Sequence, residues 1–393
     1  MATINPFKIN VPDASLAKLK QKLELTRFPE GELEEAGWAY GVPLQDIKDL
    51  TKFWIEKYDW RAAEAKLNCI PQFTTEIKVE GFDPLNIHFV HQKSDVKGAI
   101  PLLFLHGWPG NFLEVTKMLP YLRGEGGKQA FHVVAPSLPN YGFSGRVTKK
   151  EFGLGQYAEA ANKLMLALGY DQYVTQGGDW GGIISRVIGA RFPQHCKASH
   201  LNISLGKEPT WDAGNPKPVY TDREVAGMKH GEVWRQNGMG YYGLQSTKPA
   251  TLAFSLADSP TGLLAWIYEK LVDWTDSYPW TPEEVLTWIS VYYFSTAGPG
   301  ASIYTYYEVA HDAKYNQESV TEYVDVPLAF ADFPKEIANV PRSWRSRLGP
   351  VVDDVDLDKG GHFAAWECPE ELAGCVIRVF GKGGGAEGVV KGL

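Results

Sequence analysis

The fold is decided by a seven-residue stretch between a predicted strand and a predicted helix, QGGDWGG at residues 176–182. In a nucleophile elbow, small residues two positions before and two positions after the central residue let the chain turn sharply, and the turn holds the central side chain clear. Gly177 and Gly181 occupy those positions here, and the central residue is Asp179. The stretch therefore predicts a strand–turn–helix unit that presents Asp179 as a nucleophile.

An aspartate at the centre of this turn determines which chemistry the turn can perform. A carboxylate is ionised at neutral pH and needs no base to activate it. It can displace a leaving group at a saturated carbon, whereas it is a poor choice for peptide or ester hydrolysis, where the attack occurs at an acyl carbon. From this stretch alone a second interpretation stays open, in which Asp179 is a turn residue that caps the following helix.

Strand patterns alternate with helical patterns on both sides of the turn. Strands are predicted at residues 75–79, 86–90, 102–105, 131–135 and 173–176, and again at 326–331 and 351–355. Helices are predicted at residues 156–168 and 369–380. This alternation implies a mostly parallel sheet that is covered by helices on both faces.

A long stretch between two blocks of strands is typical of an inserted helical lid. After Ser204 a connection rich in Pro and Gly leads into helices full of Trp and Tyr. We expect an α/β core in two parts, at residues 73–205 and 326–393, with a lid between them at residues 206–325. Residues 1–72 are expected to form an N-terminal helical segment that serves packing. With the elbow, this layout is that of the α/β-hydrolase fold. The Gly-rich tail at 381–393 is expected to be disordered.

The loop HGWPG at 106–110 follows the buried strand at 102–105. In this fold class the corresponding loop supplies one backbone N–H to an oxyanion hole, and the residue after the nucleophile supplies another. We therefore expect the N–H groups of Trp108 and Trp180 to form this hole. His106 is interpreted as a residue that braces the loop, because it lies too early in the chain to be the base.

His362 is the candidate base, with a purely structural histidine as the alternative. It lies in GGHFA at 360–364, after the last predicted strand and before the last helix, which gives the chain order nucleophile, acid, base. The acid should follow the preceding strand, where both Asp332 and Glu336 qualify. The carboxylates at positions 353, 354, 356 and 358 are interpreted as a solvated face.

Composition excludes several function classes. The 393 residues carry a net charge of −8, which argues against a nucleic-acid or anionic-membrane partner. No apolar stretch is long enough to span a bilayer, and residues 1–15 lack the apolar region of a signal peptide, so we expect a soluble, cytoplasmic protein. The cysteines form no CxxC pair and are expected to be free thiols rather than metal or redox sites: Cys69, Cys196, Cys368 and Cys375.

The motifs, taken in order, resemble those of the microsomal-type epoxide hydrolases, including soluble fungal members. The resemblance covers nearly the whole chain and begins with an N-terminal segment from Pro6 to Pro29. The other motifs are HGWPG at 106–110, PSLPNYGFSG at 136–145, GGDWGG at 177–182, FPKE at 333–336, PRSW at 341–344 and GGHFAAWE at 360–367. Each motif alone is moderately specific, and in this order they are very specific. We expect no N-terminal anchor like that of the membrane-bound members, and we therefore expect the soluble branch to be the closer match.

The resemblance implies roles for three further residues. The family acid is the last residue of a Phe-Pro-x-Glu/Asp motif, which is Glu336 here. The family also uses two lid tyrosines as donors to the epoxide oxygen. One lies eight residues before the Pro of a Ser/Cys-Thr-Lys/Arg-Pro motif, here Tyr241, and the other ends a short motif before a Glu, here Tyr306. The neighbours Tyr242 and Tyr307 stay open as alternatives.

The implied activity is the conversion of an apolar small-molecule epoxide into a vicinal diol without a metal or an organic cofactor. Three alternatives stay open. A dehalogenase-like enzyme would need Trp or Asn donors for a halide in place of the tyrosine pair. In an epoxide-opening cyclase, a substrate hydroxyl would replace water, and a non-catalytic receptor would use the same fold only to bind a ligand. The sequence also leaves the oligomeric state open, with a homodimer as one option.

Overall fold

The computed structural model describes residues 3–203, 206–212, 214, 216–314 and 321–393. The predicted end of the first core part, at residues 204 and 205, lies outside the described residues. The same holds for residues 213 and 215 of the predicted connection, for residues 315–320 of the predicted lid and for residues 1 and 2.

One sheet contains all nine strands of the described residues: β1 (Asn5–Pro6), β2 (Gln72–Ile77), β3 (Leu85–Gln92), β4 (Ile100–Leu105), β5 (Phe131–Pro136), β6 (Tyr173–Gly177), β7 (Cys196–Leu201), β8 (Leu328–Asp332) and β9 (Val351–Asp356). Their order across the sheet is β1-β2-β3-β5-β4-β6-β7-β8-β9. The pairs β1–β2, β2–β3 and β3–β5 are antiparallel. The remaining pairs, β5–β4, β4–β6, β6–β7, β7–β8 and β8–β9, are parallel. The mostly parallel sheet predicted from the alternation is therefore confirmed.

The helices surround this sheet and form the insertion between β7 and β8. In chain order they are α1 (Asp13–Glu24), α2 (Leu44–Glu56), α3 (Trp60–Leu67), α4 (Leu113–Thr116), α5 (Leu154–Ala167), α6 (Asp179–Arg191), α7 (Asp222–Gly238), α8 (Gly240–Thr247), α9 (Pro249–Asp258), α10 (Pro260–Asp273), α11 (Pro282–Tyr293), α12 (Tyr304–Ala310), α13 (Arg342–Arg345), α14 (Ala364–Glu367) and α15 (Pro369–Phe380). None of the helices in the described ranges combines the length and the apolar character that crossing a membrane requires.

The N-terminal helices pack mainly against the inserted helices. Helix α1 contacts α10, and α2 contacts both α10 and α11. Ile47, Leu50 and Trp54 lie on the buried face of α2, as their helical spacing predicts. The N-terminal segment therefore fixes the position of α10, whose C-terminal end reaches the active site described below.

Strand β7 is absent from the predicted strands because its sequence, CKASHL, contains no apolar run. It nevertheless lies between β6 and β8 and is largely buried. The hydroxyl of Thr175 on β6 donates a 2.8 Å hydrogen bond to Oγ of Ser199 on β7, so a buried polar side chain finds its partner on the neighbouring strand. A sequence pattern cannot reveal such a partner.

The expectation that the tail at 381–393 is disordered is wrong. Ala386 and Val390 are buried, and the Ala386 N–H donates to the carbonyl oxygen of Val379 at 3.0 Å. A Cβ at Gly384 would lie 2.1 Å from the carbonyl oxygen of Arg378. The glycines therefore permit close packing of the tail on α15 and do not indicate disorder.

The turn between β6 and α6 has the strained geometry of the predicted elbow. Asp179 has a φ of 47°, in the left-handed region that non-glycine residues rarely adopt. A Cβ at Gly181 would lie 1.9 Å from the carbonyl oxygen of Leu105 on β4, and a Cβ at Gly177 would lie 2.5 Å from the carbonyl carbon of Gly181. Both positions therefore require glycine, and the close approach of α6 to β4 depends on them.

We expect Gly181→Ala to lower the free energy of unfolding by about 2–4 kcal/mol, because backbone atoms must move to admit the methyl group. Gly374→Ala is the matched control, since this exposed glycine of α15 has open space at its Cβ position. That change should raise stability by about 0.5–1 kcal/mol, as replacement of a mid-helix glycine does. Denaturant unfolding measures both values, and wild-type stability of Gly181→Ala would contradict the steric argument.

Candidate active site

The two carboxylate oxygens of Asp179 have different neighbours. Oδ1 accepts a 2.7 Å hydrogen bond from the backbone N–H of Trp108. Oδ2 lies 3.4 Å from Nε2 of His362. The Asp179 side chain is 20% exposed, so the carboxylate is held by the protein without being sealed inside it.

His362 is buried, and hydrogen bonds hold both its ring and its backbone. Its Nδ1 lies 2.8 Å from Oε1 of Glu336, which is also buried, and its backbone N–H donates a 2.8 Å hydrogen bond to the carbonyl oxygen of Trp274. Burial lowers the pKa of His362, but the carboxylates of Glu336 and Asp179 outweigh this effect and hold the pKa well above its usual value. The imidazole therefore lies between two carboxylates.

Of the two candidate acids, the structure brings only Glu336 to the histidine. Oδ2 of Asp332 instead forms a 2.9 Å ion pair with the buried guanidinium of Arg345. The same guanidinium lies 2.7 Å from Oδ1 of Asp354, whose side chain is only 13% exposed. The prediction that Asp354 belongs to a solvated face is therefore wrong, because its side chain is largely buried and pairs with Arg345 and, at 3.4 Å, with Arg342.

The HGWPG loop carries the first predicted oxyanion donor. A Cβ at Gly107 would lie 2.0 Å from Oδ1 of Asp179, so only glycine lets the loop approach the carboxylate this closely. The second predicted donor, the N–H of Trp180, lies in the first turn of α6, where N–H groups have no partner within the helix. His106 braces the loop, because its Nε2 accepts a 3.1 Å hydrogen bond from the N–H of Leu138.

Tyr241 on α8 and Tyr306 on α12 meet above the HGWPG loop. Both side chains are buried, and their ring centroids lie 5.7 Å apart. The ring of Trp108 stacks on Tyr241 at 5.2 Å and meets Tyr306 edge-on at 5.7 Å. Burial raises the pKa of each tyrosine well above its usual value, and the charge of Asp179 adds to the increase. Both phenols are therefore protonated and close to the carboxylate.

The neighbouring tyrosines have different environments. Tyr307 is exposed and stacks on His311 at 4.1 Å between ring centroids. Tyr242 is partly buried, and its ring meets that of Tyr306 edge-on at 5.5 Å. Tyr241 and Tyr306 are thus buried side by side against Trp108, whereas Tyr307 is exposed and Tyr242 is part of the surrounding wall.

Sequence reasoning missed Glu114, a buried carboxyl group of α4. A Cβ at Gly110 would lie 1.9 Å from Oε1 of Glu114, so the carboxyl group lies directly against the HGWPG loop. Burial raises the pKa of Glu114 to about 8, an effect that the charge of His362 opposes and that of Asp179 reinforces. A lone glutamate within the apolar stretch 112–115 was the available signal, but only the fold shows which side of the loop it faces.

Within the described part of the chain, no three or more His, Cys, Asp or Glu side chains cluster in a way that could hold a metal ion. All four cysteines are free, and three of them are buried. The thiols therefore form no disulfide bonds.

Comparisons with known proteins identify the family. Residues 4–115 match the family model described as the epoxide hydrolase N terminus, and residues 100–255 match that of the α/β hydrolase fold. The chain is 34% identical to epoxide hydrolase 1 of the pig, Sus scrofa, over 96% of this chain and 89% of that protein. The chain belongs to the epoxide hydrolase family. It is therefore an epoxide hydrolase, an enzyme rather than a receptor.

Solved structures agree with this membership. The epoxide hydrolase of Aspergillus niger superposes with a TM-score of 0.84 at 35% identity, covering 95% of both chains. The juvenile hormone epoxide hydrolase of the silkworm Bombyx mori superposes with a TM-score of 0.87 at 30% identity, covering 96% of this chain and 94% of that one. The predicted α/β-hydrolase fold and the predicted resemblance to the epoxide hydrolases are thus confirmed.

The pKa of Glu114 predicts a pH-dependent contribution to stability. Between its ordinary value of 4.5 and about 8, the folded state keeps a proton that the unfolded state releases, so the wild-type protein loses stability as the pH rises. Glu114→Gln has no such proton. The stability of this variant relative to wild type should therefore increase by roughly 2–4 kcal/mol from pH 5 to pH 8.5.

Thermal and denaturant unfolding at constant ionic strength measure this change in stability. Glu24→Gln, at an exposed position of α1, is the control and should follow the wild-type pH profile. A constant difference between Glu114→Gln and wild type across this pH range would show that Glu114 does not keep its proton in the folded state.

Proposed function

We propose that this epoxide hydrolase forms an ester between Asp179 and its substrate, and that water activated by His362 hydrolyses the ester to a vicinal diol. The observation that carries this proposal is the unequal environment of the two carboxylate oxygens. Oδ1 is bound by the Trp108 N–H, whereas Oδ2 faces His362. Oδ2 therefore attacks the epoxide carbon, and Oδ1 becomes the carbonyl oxygen of the ester.

In the first step the leaving oxygen needs a proton. Ring opening releases an alkoxide, which is far more basic than a phenolate, so a phenol can protonate it. Tyr241 and Tyr306 are the donors, because both are buried beside Asp179 and their pKa values lie well above the usual value. They remain protonated until the alkoxide forms.

The second step uses a change of charge that the first step produces. Asp179 is one of the two carboxylates that raise the pKa of His362. Esterification makes Asp179 neutral, so the pKa of His362 falls when the enzyme needs a base. Glu336 stays charged, orients the ring through Nδ1 and stabilises the imidazolium that forms.

The ester carbonyl is the target of the activated water. Water attack places negative charge on Oδ1, which already accepts the Trp108 N–H, and the N–H of Trp180 is the second donor. Losing one such donor typically costs about 2.7–4 kcal/mol of transition-state stabilisation. Departure of Oδ2 with the substrate carbon then yields the diol.

The aromatic surroundings of the two tyrosines favour an epoxide with apolar substituents. Trp274 lies 5.2 Å from Tyr241 between ring centroids, and Trp234 lies 6.5 Å from it. Such rings offer contact area and few polar groups. We therefore propose an apolar epoxide as the substrate.

His362→Gln should separate the two steps, because Asp179 attacks without a base. After incubation with styrene oxide, intact-protein mass spectrometry should show a mass increase of one substrate molecule, and peptide mapping should locate it on Asp179. His311→Gln, a surface control, should turn over without such an adduct. Asp179→Ala should show neither adduct nor diol. Folded His362→Gln that consumes epoxide but never carries an adduct would rule out the ester.

Tyr241→Phe and Tyr306→Phe should each slow ester formation by about 10–100-fold, and the double variant should be nearly inactive, because the alkoxide then lacks its acid. Tyr242→Phe and Tyr307→Phe are matched controls and should stay within about 2-fold of wild type. Single-turnover kinetics with enzyme in excess measures these rates. If the controls lose activity and the first pair does not, the donors are the neighbouring tyrosines.

A further inference from the structure

Lys270 is a buried cation that the two-step mechanism above does not use. Its side chain on α10 is only 3% exposed, which is rare for a lysine. Its Nζ lies 5.4 Å from the ring centroid of Tyr241 and 5.0 Å from that of Trp266. The ammonium group therefore lies over the face of a tyrosine assigned as an epoxide donor.

Lys270 and Tyr241 each have charged neighbours that change their pKa values. The Nζ of Lys270 donates a 2.6 Å hydrogen bond to Glu269, whose side chain is 30% exposed and thus more accessible than Lys270 itself. Burial lowers the pKa of Lys270, and the charges of Glu269 and Asp273 act in the opposite direction. Burial and then the charge of Asp179 raise the pKa of Tyr241, whereas its hydrogen bond with Tyr306 lowers this pKa. Lys270 places its ammonium group over the face of this same ring.

We propose that Lys270 is a positioning residue that makes Tyr241 a stronger acid toward the epoxide oxygen by stabilising negative charge on its ring. This inference rests on the proposed role of Tyr241 in ester formation. A cation over the face of an aromatic ring is attracted to it, and the attraction increases when the ring gains negative charge. Lys270 therefore stabilises the transition state more than the ground state.

The bonds and protons balance as follows. Oδ2 of Asp179 forms a bond to one epoxide carbon while the bond from that carbon to the epoxide oxygen breaks. The oxygen takes the phenolic proton of Tyr241, whose negative charge then spreads into the ring beneath Lys270. Hydrolysis of the ester by water releases one proton, which restores Tyr241. The cycle needs no further reactant.

A purely structural role would have other consequences. Trp274 lies one helical turn after Lys270, and its carbonyl oxygen holds the N–H of His362. Disturbing this end of α10 would therefore impair His362 and the hydrolysis of the ester. A role through the ring of Tyr241 affects ester formation alone, so the two half-reactions distinguish these roles.

Lys270→Met keeps the length of the side chain and removes its charge, and Lys270→Arg keeps the charge. With styrene oxide in single turnover, Lys270→Met should slow ester formation about 10-fold, corresponding to roughly one pKa unit of lost acidity. Ester hydrolysis should stay within about 2-fold, and Lys270→Arg should recover most of the loss. If Lys270→Met fails to fold, Lys270→Gln gives the same neutral comparison.

Double variants provide the decisive control. Lys270→Met should have almost no effect in a Tyr241→Phe background and should retain its effect of about 10-fold in a Tyr306→Phe background. Equal losses in both backgrounds, or a loss confined to ester hydrolysis, would overturn the inference. A wild-type rate for Tyr241→Phe alone would instead show that the proposed function of this tyrosine is wrong.

Discussion

The hydrogen bond from the Trp108 N–H to Oδ1 of Asp179 is the interaction on which the rest of the site depends. It gives the two oxygens of one carboxylate different environments, and the proposed roles of Oδ1 as the future carbonyl oxygen and of Oδ2 as the attacking atom rest on this difference. The bond requires that the HGWPG loop approach the carboxylate, which Gly107 permits, and that α6 approach β4, which Gly181 permits. The strained backbone of Asp179 persists because these close contacts fix it.

The parts of the site that follow from local sterics could be predicted from the sequence, and those that depend on distant partners could not. Gly181 could be recognised because a sharp turn needs a small residue at that position. Asp332 and Glu336 follow the same strand, and only the position of Arg345 in the fold shows that Asp332 already has a partner. Strand β7 is ordered by β6 and β8, which a sequence pattern cannot identify as its partners. The composition of the Gly-rich tail does not show that its glycines pack closely on α15.

Charge balance connects the chemistry to the lid. His362 lies between two carboxylates. In the proposed mechanism ester formation neutralises one of them, so the first step prepares the base for the second. Helix α10 and the residue that follows it contact groups of both proposed half-reactions: Lys270 lies above Tyr241, and the Trp274 carbonyl accepts a hydrogen bond from the N–H of His362. Because α1 and α2 pack on α10, the N-terminal segment helps to fix the catalytic groups although it supplies none of the catalytic residues proposed here.

A single turnover in heavy-oxygen water tests the covalent mechanism most directly. In the proposed mechanism, with enzyme in excess over epoxide, water attacks the ester carbonyl, and Oδ2 leaves with the product. The label should therefore enter the Asp179 carboxylate, and the first diol should carry unlabelled oxygen from the protein. Peptide and product mass spectrometry measure both positions. Label in the diol during the first turnover, with none in Asp179, would mean that water attacks the epoxide directly and that Asp179 acts only as a base.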